Sequence, residues 1–406
     1  MAAAGPIAVE DSDSLGARLR SLRLRRGLTQ EGLAITAGVG VDVVKRLERG
    51  VKSWARLATL RALSDALDVP LSELTGREPR VGQPGERLVL DLRDALFGTV
   101  PGLPSRVETE PTSLAGIHRD VDAAWGLYAA GQFERLAARL PGVLTDVRLL
   151  QQRSPAGESG EEAVLTSQAL QVTAQLLVQL GREDLAAAAA EHAVSAALRG
   201  PDRLQWANAA AAYAWVHHAG FARPATAVPL ALGIADEIRP GGDAPVEDVI
   251  VWGAVLITAL AAAGAADDAD TVDDILPEAQ EAARRVGTDT RHHHVLYGPA
   301  ALGMQVVYSA LSLGRPDQAL DAARGLDVDR LRPVSHARHL LDIAQALTDL
   351  GRDDEAVQVL ARAENLAPVW FRHVPLVRSL LDEIGGRQAR MTTTLRRLAQ
   401  AASQHT

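Results

Sequence analysis

The sequence predicts an all-α protein in two parts, a small N-terminal helical domain followed by a long array of helical hairpins. Three observations lead there. Residues 28–50, LTQEGLAITAGVGVDVVKRLERG, read as two short helices joined by a tight turn. From about Leu114 onward, glycines recur at intervals of roughly 37 to 50 residues, each followed by one or two polar residues and an alanine-rich stretch. The composition is that of a helical protein, rich in Ala, Leu, Arg and Asp with only four Phe, four Tyr and six Trp.

The 406 residues are ample for two or three domains. No apolar run approaches the roughly 20 residues needed to span a bilayer. The start, MAAAGPIAVEDSDS, is acidic and lacks the basic region of a signal peptide, so residues 1–13 are expected to form a disordered leader. With no cysteine there is no disulfide framework, no thiolate nucleophile and no cysteine zinc site. A cytoplasmic, nucleoid-associated protein is the expectation. Of the 42 basic residues only Lys45 and Lys52 are lysine, a bias of GC-rich, actinomycete-like genomes.

Within the N-terminal domain, Gly27 is placed to end an arginine-rich helix in a left-handed conformation and Thr29 to cap the next helix through its side-chain oxygen. That helix runs to about Ala37, with Leu33 and Ala34 facing inward, and Gly38 supplies the positive φ of the turn. A third helix spans about Gly40 to Arg49. Val44 and Leu47, three apart, pack inward and leave Val41, Asp42, Lys45 and Arg46 pointing out. From Ser14 to Arg61 there are eleven Arg and Lys against Glu31, Asp42 and Glu48, a net of +8 on a chain whose total is −9. A basic module on an acidic body meets phosphate at one end only.

This pattern resembles the helix-turn-helix of the Cro/phage-repressor (XRE) family, lambda-repressor-like in fold. The likeness extends through LERG into TLRALSDAL and PLSELTG, covering roughly residues 14–76. It implies double-stranded DNA as partner. Gln30 falls at a phosphate contact with Arg20 and Arg23 as helpers, and Gly40, Val41, Asp42 and Lys45 fall where the family presents side chains to base edges. With Thr29, Arg46 and Arg49 these residues make up the expected DNA-binding set. The chain departs from the family at Gly32, where a helix former is usual and glycine costs about 1 kcal/mol. It departs again at Ala55-Arg56, preceded by Trp54, which replaces a proline-containing segment. A small helical domain used for protein contacts is the alternative.

Residues 77–113 read as a linker. It contains one short amphipathic helix, residues 86–97, with Leu88, Leu92 and Leu96 four apart beside Val89 and Phe97, suited to dimerisation or to docking on the body. The proline-marked stretch after it is expected to be extended.

Residues 114–400 carry the hairpin glycines Gly131, Gly181, Gly220, Gly264, Gly314 and Gly351. The copies at Gly314 and Gly351 resemble the tetratricopeptide repeat, and the rest are degenerate, so the array is TPR-like. Such hairpins bury their apolar faces only by stacking, which generates a curved α-solenoid with a concave surface. Helix-turn-helix, linker and degenerate repeats in this order are similar to a group of actinobacterial XRE-type regulators. The phrases LYGPAALGMQVVYSALSLGRPDQALDAA and RHLLDIAQALTDLGRDDEAVQVLARAENLAPVWFRHVP strengthen the likeness. It implies an effector-responsive transcriptional regulator, a homodimer on an inverted-repeat operator.

In a TPR-like stack the first helix of each hairpin lines the concave face, so Trp206, Tyr213, His217, Trp252, Tyr297 and Tyr308 are expected to converge on one cavity. It would bind a small amphipathic or aromatic effector, or a peptide. His292, His293 and His294 splay apart if helical and alternate if extended, so a structural or solvent-facing role is expected over one shared metal. The acidic run from Asp267 to Asp274 lacks the Gly and Glu of a calcium loop and suits a helix start. No phosphate-binding glycine loop, G-x-S-x-G elbow or H-E-x-x-H motif occurs. The chain is therefore expected to be neither an enzyme nor a cofactor protein. The alternative reading is a non-catalytic scaffold whose repeats hold a partner protein.

Overall fold

Ser14 begins the first helix, its hydroxyl accepting from Ala17 N at 3.2 Å. The computed structural model describes residues 14–50, 55, 57–69, 74–75, 85–97, 113–153, 160–221, 223–328, 331–388 and 390–403. The leader, most of the linker, Trp54 and Arg56 lie outside the described residues. The chain divides into two compact units, residues 1–79 with 374–406, and residues 80–373.

In the first unit α1 (Leu15–Arg25), α2 (Gln30–Ala37), α3 (Val41–Glu48) and α4 (Leu57–Leu67) surround a core of Leu19, Leu22, Leu33, Val44, Leu47, Leu63, Leu67 and Leu74. Thr29 caps α2 through Gly32 N at 2.9 Å, and Gly27 and Gly38 adopt φ of +66° and +64°. Arg18 ties the end of the domain to α1 by donating to the carbonyls of Leu74 and Thr75 at 3.2 and 3.0 Å. Gly16 permits the contact of α1 with α3, for a Cβ there would overlap the Leu47 carbonyl oxygen.

The second unit starts with α5 (Gly85–Phe97), whose Leu92 and Leu96 join the core of the first hairpin, so this helix docks on the repeats. Six hairpins follow: α6 (Leu114–Ala129) with α7 (Phe133–Arg153), α8 (Gly160–Gln179) with α9 (Glu183–Ala197), and α10 (Arg203–Trp215) with α11 (Pro224–Glu237). Then come α12 (Val246–Ala265) with α13 (Ala269–Val286), α14 (Pro299–Ser312) with α15 (Pro316–Ala323), and α16 (Pro333–Asp349) with α17 (Asp353–Leu366). Each first helix packs on the next first helix, α6 on α8 and so on to α14 on α16, which is the packing order of a solenoid. The curve returns on itself. A Cβ on Gly131, at the turn of the first hairpin, would meet Val334 Cγ2 of the sixth at 3.0 Å and Trp370 Cβ at 3.4 Å. Trp370 belongs to α18 (Pro368–His373), and the first unit regains the chain with α19 (Pro375–Arg387) and α20 (Thr393–Ser403), which pack together.

Four of the six expected turn glycines, Gly131, Gly181, Gly314 and Gly351, take left-handed φ between +67° and +73°. Gly220 and Gly264 do not. Gly264 lies within α12, where a Cβ would stand 3.2 Å from Ser309 Cα of α14, so its value is close helix approach. The turn there is made by Asp267 at φ +61°, and Asp268 caps α13 by accepting from Thr271 N at 3.0 Å. Gly220 closes a single π-turn, Val216–Gly220, that extends α10. The expectation that no apolar run approaches membrane-spanning length is corrected by α12, a 20-residue helix that contains an 18-residue window of mean hydropathy 1.9. Most of it is buried, between α11, α13, α14 and α10, and it serves as a core helix.

A short hairpin, β1 (Thr290–His292) antiparallel to β2 (Val295–Tyr297), is inserted between α13 and α14. Its two-residue turn is His293–His294, with φ of +43° and +65°. Positive φ at both central positions is the type I′ signature normally met by Asn-Gly.

Gly16→Ala is expected to destabilise the first unit by about 1–3 kcal/mol through overpacking against backbone that cannot yield. Faster hydrogen exchange at α1 and α3 amides, with the repeat unit unchanged, is the measurement that checks it.

Candidate functional site

The outer face of α3 carries the side chains expected to read DNA. Val44 and Leu47 are fully buried, Asp42, Arg46 and Arg49 are exposed, and Val41 is half-buried against the core. Gly40 is the N-cap residue of α3 and, with no side chain, makes no side-chain cap. Lys45 Nζ lies 2.9 Å from Glu31 Oε1, a partly exposed pair linking α3 to α2. Such pairs stabilise little and exchange readily for another anion. Arg20 is exposed on α1.

Arg23 and Gln30 have internal roles, which corrects the expectation that they face phosphate. The Arg23 guanidinium donates to both Glu48 carboxylate oxygens at 2.6 and 2.8 Å and to the Leu28 carbonyl at 2.7 Å. Gln30 Nε2 donates to Glu48 Oε2 at 2.7 Å. With side-chain exposures of 9% and 2% for Arg23 and Glu48, this is a buried fork that joins α1, α2 and α3. Burial acts to raise the Glu48 pKa, but the hydrogen bonds from Arg23 and Gln30 outweigh it and hold the carboxyl below its ordinary range. In the sequence Glu48 shows only as one of three acidic residues in a basic segment. The signal was its place at the inward-turning end of α3, one residue past Leu47.

In the second unit the six expected effector residues do not converge. Trp252 is buried and donates its indole N–H to Ala235 O at 3.1 Å, while Tyr297 is fully buried with its hydroxyl donating to Ala279 O at 2.5 Å. Both are core, and their removal from any cavity is a correction. Trp206 packs among the buried residues around Ala193 and Ala197. Tyr213 sits edge-on to His217, ring centroids 4.8 Å apart, and His217 meets Phe221. Tyr308 faces the other way, 6.3 Å from the His218 ring and 5.7 Å from the Arg338 guanidinium.

A cavity of about 260 Å³ is lined by the opposite face of α10: Asn208, Ala211, Ala212 and Trp215, at spacings of three, four and seven. Tyr128 of α6, Gln175 of α8, Val255 and Thr258 of α12 and Val295 of β2 complete its principal walls. Trp206 and Tyr213 lie on the other face of the same helix.

The β1–β2 turn reaches back over the first three hairpins. His294 stacks on Trp125 of α6, centroids 5.0 Å apart and planes 5° from parallel. Gln168 of α8 places its amide nitrogen 3.3 Å from His293 Nδ1 and its oxygen 3.3 Å from His294 Nε2. His293 Nε2 lies 2.9 Å from Asp202 Oδ2 at the cap of α10. Asn208 Nδ2 donates to His293 O at 2.8 Å. Burial pushes the His294 pKa down to about 4, so the stacked ring is neutral. The Asp202 carboxyl is held down at about 2, chiefly by the His293 hydrogen bond. Among the described residues no group of three or more His, Cys, Asp or Glu is placed to hold a metal ion.

Residues 14–75 match the family described as "Helix-turn-helix domain". The N-terminal domain is thus a helix-turn-helix of the kind found in transcriptional regulators, joined in this chain to a unit of stacked helical hairpins. Over 62 residues the chain is 37% identical to the HTH-type transcriptional repressor RghR of Bacillus subtilis, a match spanning 15% of this chain and 46% of that protein. Among solved structures, Bacillus thuringiensis PlcR in complex with a peptide and DNA aligns at 13% identity and a TM-score of 0.31, covering 88% of this chain and 95% of that one. The apo form of the competence regulator ComR from Streptococcus vestibularis aligns at 13% identity and a TM-score of 0.25, covering 82% and 98%.

Glu48→Ala is expected to cost about 3–5 kcal/mol, because it strands the buried Arg23 guanidinium and the Gln30 amide. Since the Glu48 pKa is depressed in the folded state, the stability it contributes is present above the ordinary carboxylate range and is lost as pH falls through the folded value. Acid titration monitored by amide exchange in α1–α3 should show a loss of protection at low pH, and Glu48→Ala should remove that pH step.

Proposed function

We propose that this chain is a sequence-specific, DNA-binding transcriptional regulator of the XRE type, with no catalytic activity, acting in the cytoplasm at the nucleoid. The observation that carries the reading is the exposed face of α3: Asp42, Arg46 and Arg49, with Lys45 beside them, stand outward on a segment of net charge +8. The likeness to a named transcriptional repressor over this domain supports it. In this reading α3 enters the major groove. Arg46 and Arg49 meet phosphate or base edges, Lys45 is released from Glu31 on binding, and Arg20 reaches the backbone. The buried fork of Arg23, Glu48 and Gln30 positions α2 against α3 and itself contacts no DNA.

One such domain reads only a few base pairs, so the protein binds as a homodimer to an inverted repeat with half-site centres about one helical turn, roughly 34 Å, apart. The TPR-like repeats bind an effector, a small molecule or a peptide, and mediate dimerisation.

Fluorescence anisotropy on operator DNA across a salt series tests the DNA reading. Affinity should fall steeply, and Arg46→Ala or Arg49→Ala should each reduce the log–log salt slope by about 0.9 for every phosphate the variant no longer neutralises. Binding that is indifferent to salt would sink it. Light scattering should give a dimer on DNA, and a monomer both free and bound removes the symmetric-operator proposal.

A further inference from the structure

The cavity of about 260 Å³ is bordered by two helix faces of the same pattern. α10 lines it with Asn208, Ala211, Ala212 and Trp215, and α12 with Val251, Ala254, Val255 and Thr258, both at spacings of three, four and seven. The two helices pack on each other, and Val295 of the β1–β2 hairpin adds a wall. An apolar cavity of about 150 Å³ holds benzene, so this one has room for a second fused ring. It still lies below the roughly 300 Å³ at which drug-sized sites begin, which excludes a peptide of any length.

No charged residue among the described ones lines the space. An ion taken in there loses its hydration and meets no opposite charge, so the walls select against it. Neutral hydrogen-bonding groups stand among the apolar ones instead, and two of them are unspent. Asn208 is only 4% exposed. Its Nδ2 donates to His293 O at 2.8 Å, which fixes the orientation of the amide and makes Oδ1 the acceptor. No described residue donates to that oxygen. A buried acceptor without a donor is costly, and the space Asn208 borders is this cavity. Gln175 of α8 is half-buried in the same wall, and its amide has no hydrogen bond to a described residue. Thr258 donates its hydroxyl to Ala254 O at 3.3 Å, and Trp215 supplies an indole to the wall.

We infer that this cavity binds a small uncharged heterocycle of about two fused rings, its apolar body against the alanines of α10 and the valines of α12 and a ring N–H donating to Asn208 Oδ1. The inference rests on the effector-binding part of the proposed function and narrows it from small molecule or peptide to a neutral, hydrogen-bond-donating bicycle.

The test uses the full chain and three probes: 2-quinolone, coumarin, which has a ring oxygen where 2-quinolone has its N–H, and 2-naphthoate, an anion of similar size. Binding is followed by calorimetry. 2-Quinolone should bind saturably at one per chain, with coumarin and 2-naphthoate each at least tenfold weaker. Asn208→Ala should erase the preference for 2-quinolone over coumarin, whereas a merely structural effect through the hairpin would weaken both probes and keep their ratio. Asn208→Leu, close to isosteric, repeats this arm if Asn208→Ala does not fold. Ala212→Phe, which fills the cavity, should abolish binding of both neutral probes, and Thr258→Phe on α12 repeats the filling test if Ala212→Phe does not fold. No saturable binding of 2-quinolone, 2-naphthoate binding as tightly, a preference over coumarin that survives loss of the Asn208 amide, or wild-type binding in a folded filled variant each overturns the inference. Operator binding measured without any probe tests the regulator reading separately, so either can fail while the other stands.

Discussion

Small side chains at helix contacts are the constraint on which the rest of the repeat unit depends. α9 buries Ala186, Ala189, Ala190, Ala193, Ala196 and Ala197, and α10 buries Ala207, Ala209, Ala211, Ala212 and Ala214. Alanine interfaces let helices approach closely, but each buries little apolar area, and burial stabilises by only about 25 cal/mol per Å². The few large residues are therefore drawn into the core. Tyr297 lies so close to α12 that a Cβ on Gly253 would overlap its ring. Gly264 against Ser309 repeats the device further along the same helix.

That economy explains both what was legible in the sequence and what was not. The helix-turn-helix was legible because caps and turns are local chemistry: Thr29, Gly38, Val44 and Leu47 sit as their spacing requires. The turns at Gly131, Gly181, Gly314 and Gly351 were legible for the same reason. The aromatic stripe misled because an amphipathic pattern says which residues share a face and not whether that face meets a neighbouring helix or open space. Trp206, Tyr213 and His217 share a face, and it is the packed one. The hairpin turn at His293–His294 was illegible because neither residue is a usual occupant of its conformation, and its partners, Trp125 among them, lie far away in the sequence.

In the first unit the Arg23–Glu48–Gln30 fork does for orientation what alanines do for distance. A buried ion pair adds little net stability over an apolar replacement, since desolvation consumes most of its Coulombic gain. What it adds here is geometry. One carboxylate accepts from α1 and from the first residue of α2 while riding on α3, so the angle between the two helices of the motif is set by hydrogen bonds with little freedom. A recognition helix can present Arg46 and Arg49 reproducibly only if the helix bearing them is held in this way.

The hairpin stands at the opposite extreme, since its conformation is strained before it docks. Non-glycine residues at positive φ cost of order 1–3 kcal/mol each, and His293 and His294 are consecutive. The strain persists because ring stacking on Trp125, the bond to Asp202 and the shared amide of Gln168 offset it. Each of those contacts comes from a different first helix, so the docked state requires α6, α8 and α10 to keep their mutual spacing. A ligand shifts such an equilibrium only by binding its two states differently. The cavity meets that condition in its construction: Val295 of the hairpin is part of its wall, and Asn208, which also lines it, is the residue that grips the His293 carbonyl. The cavity and the docked hairpin therefore share Val295 and Asn208.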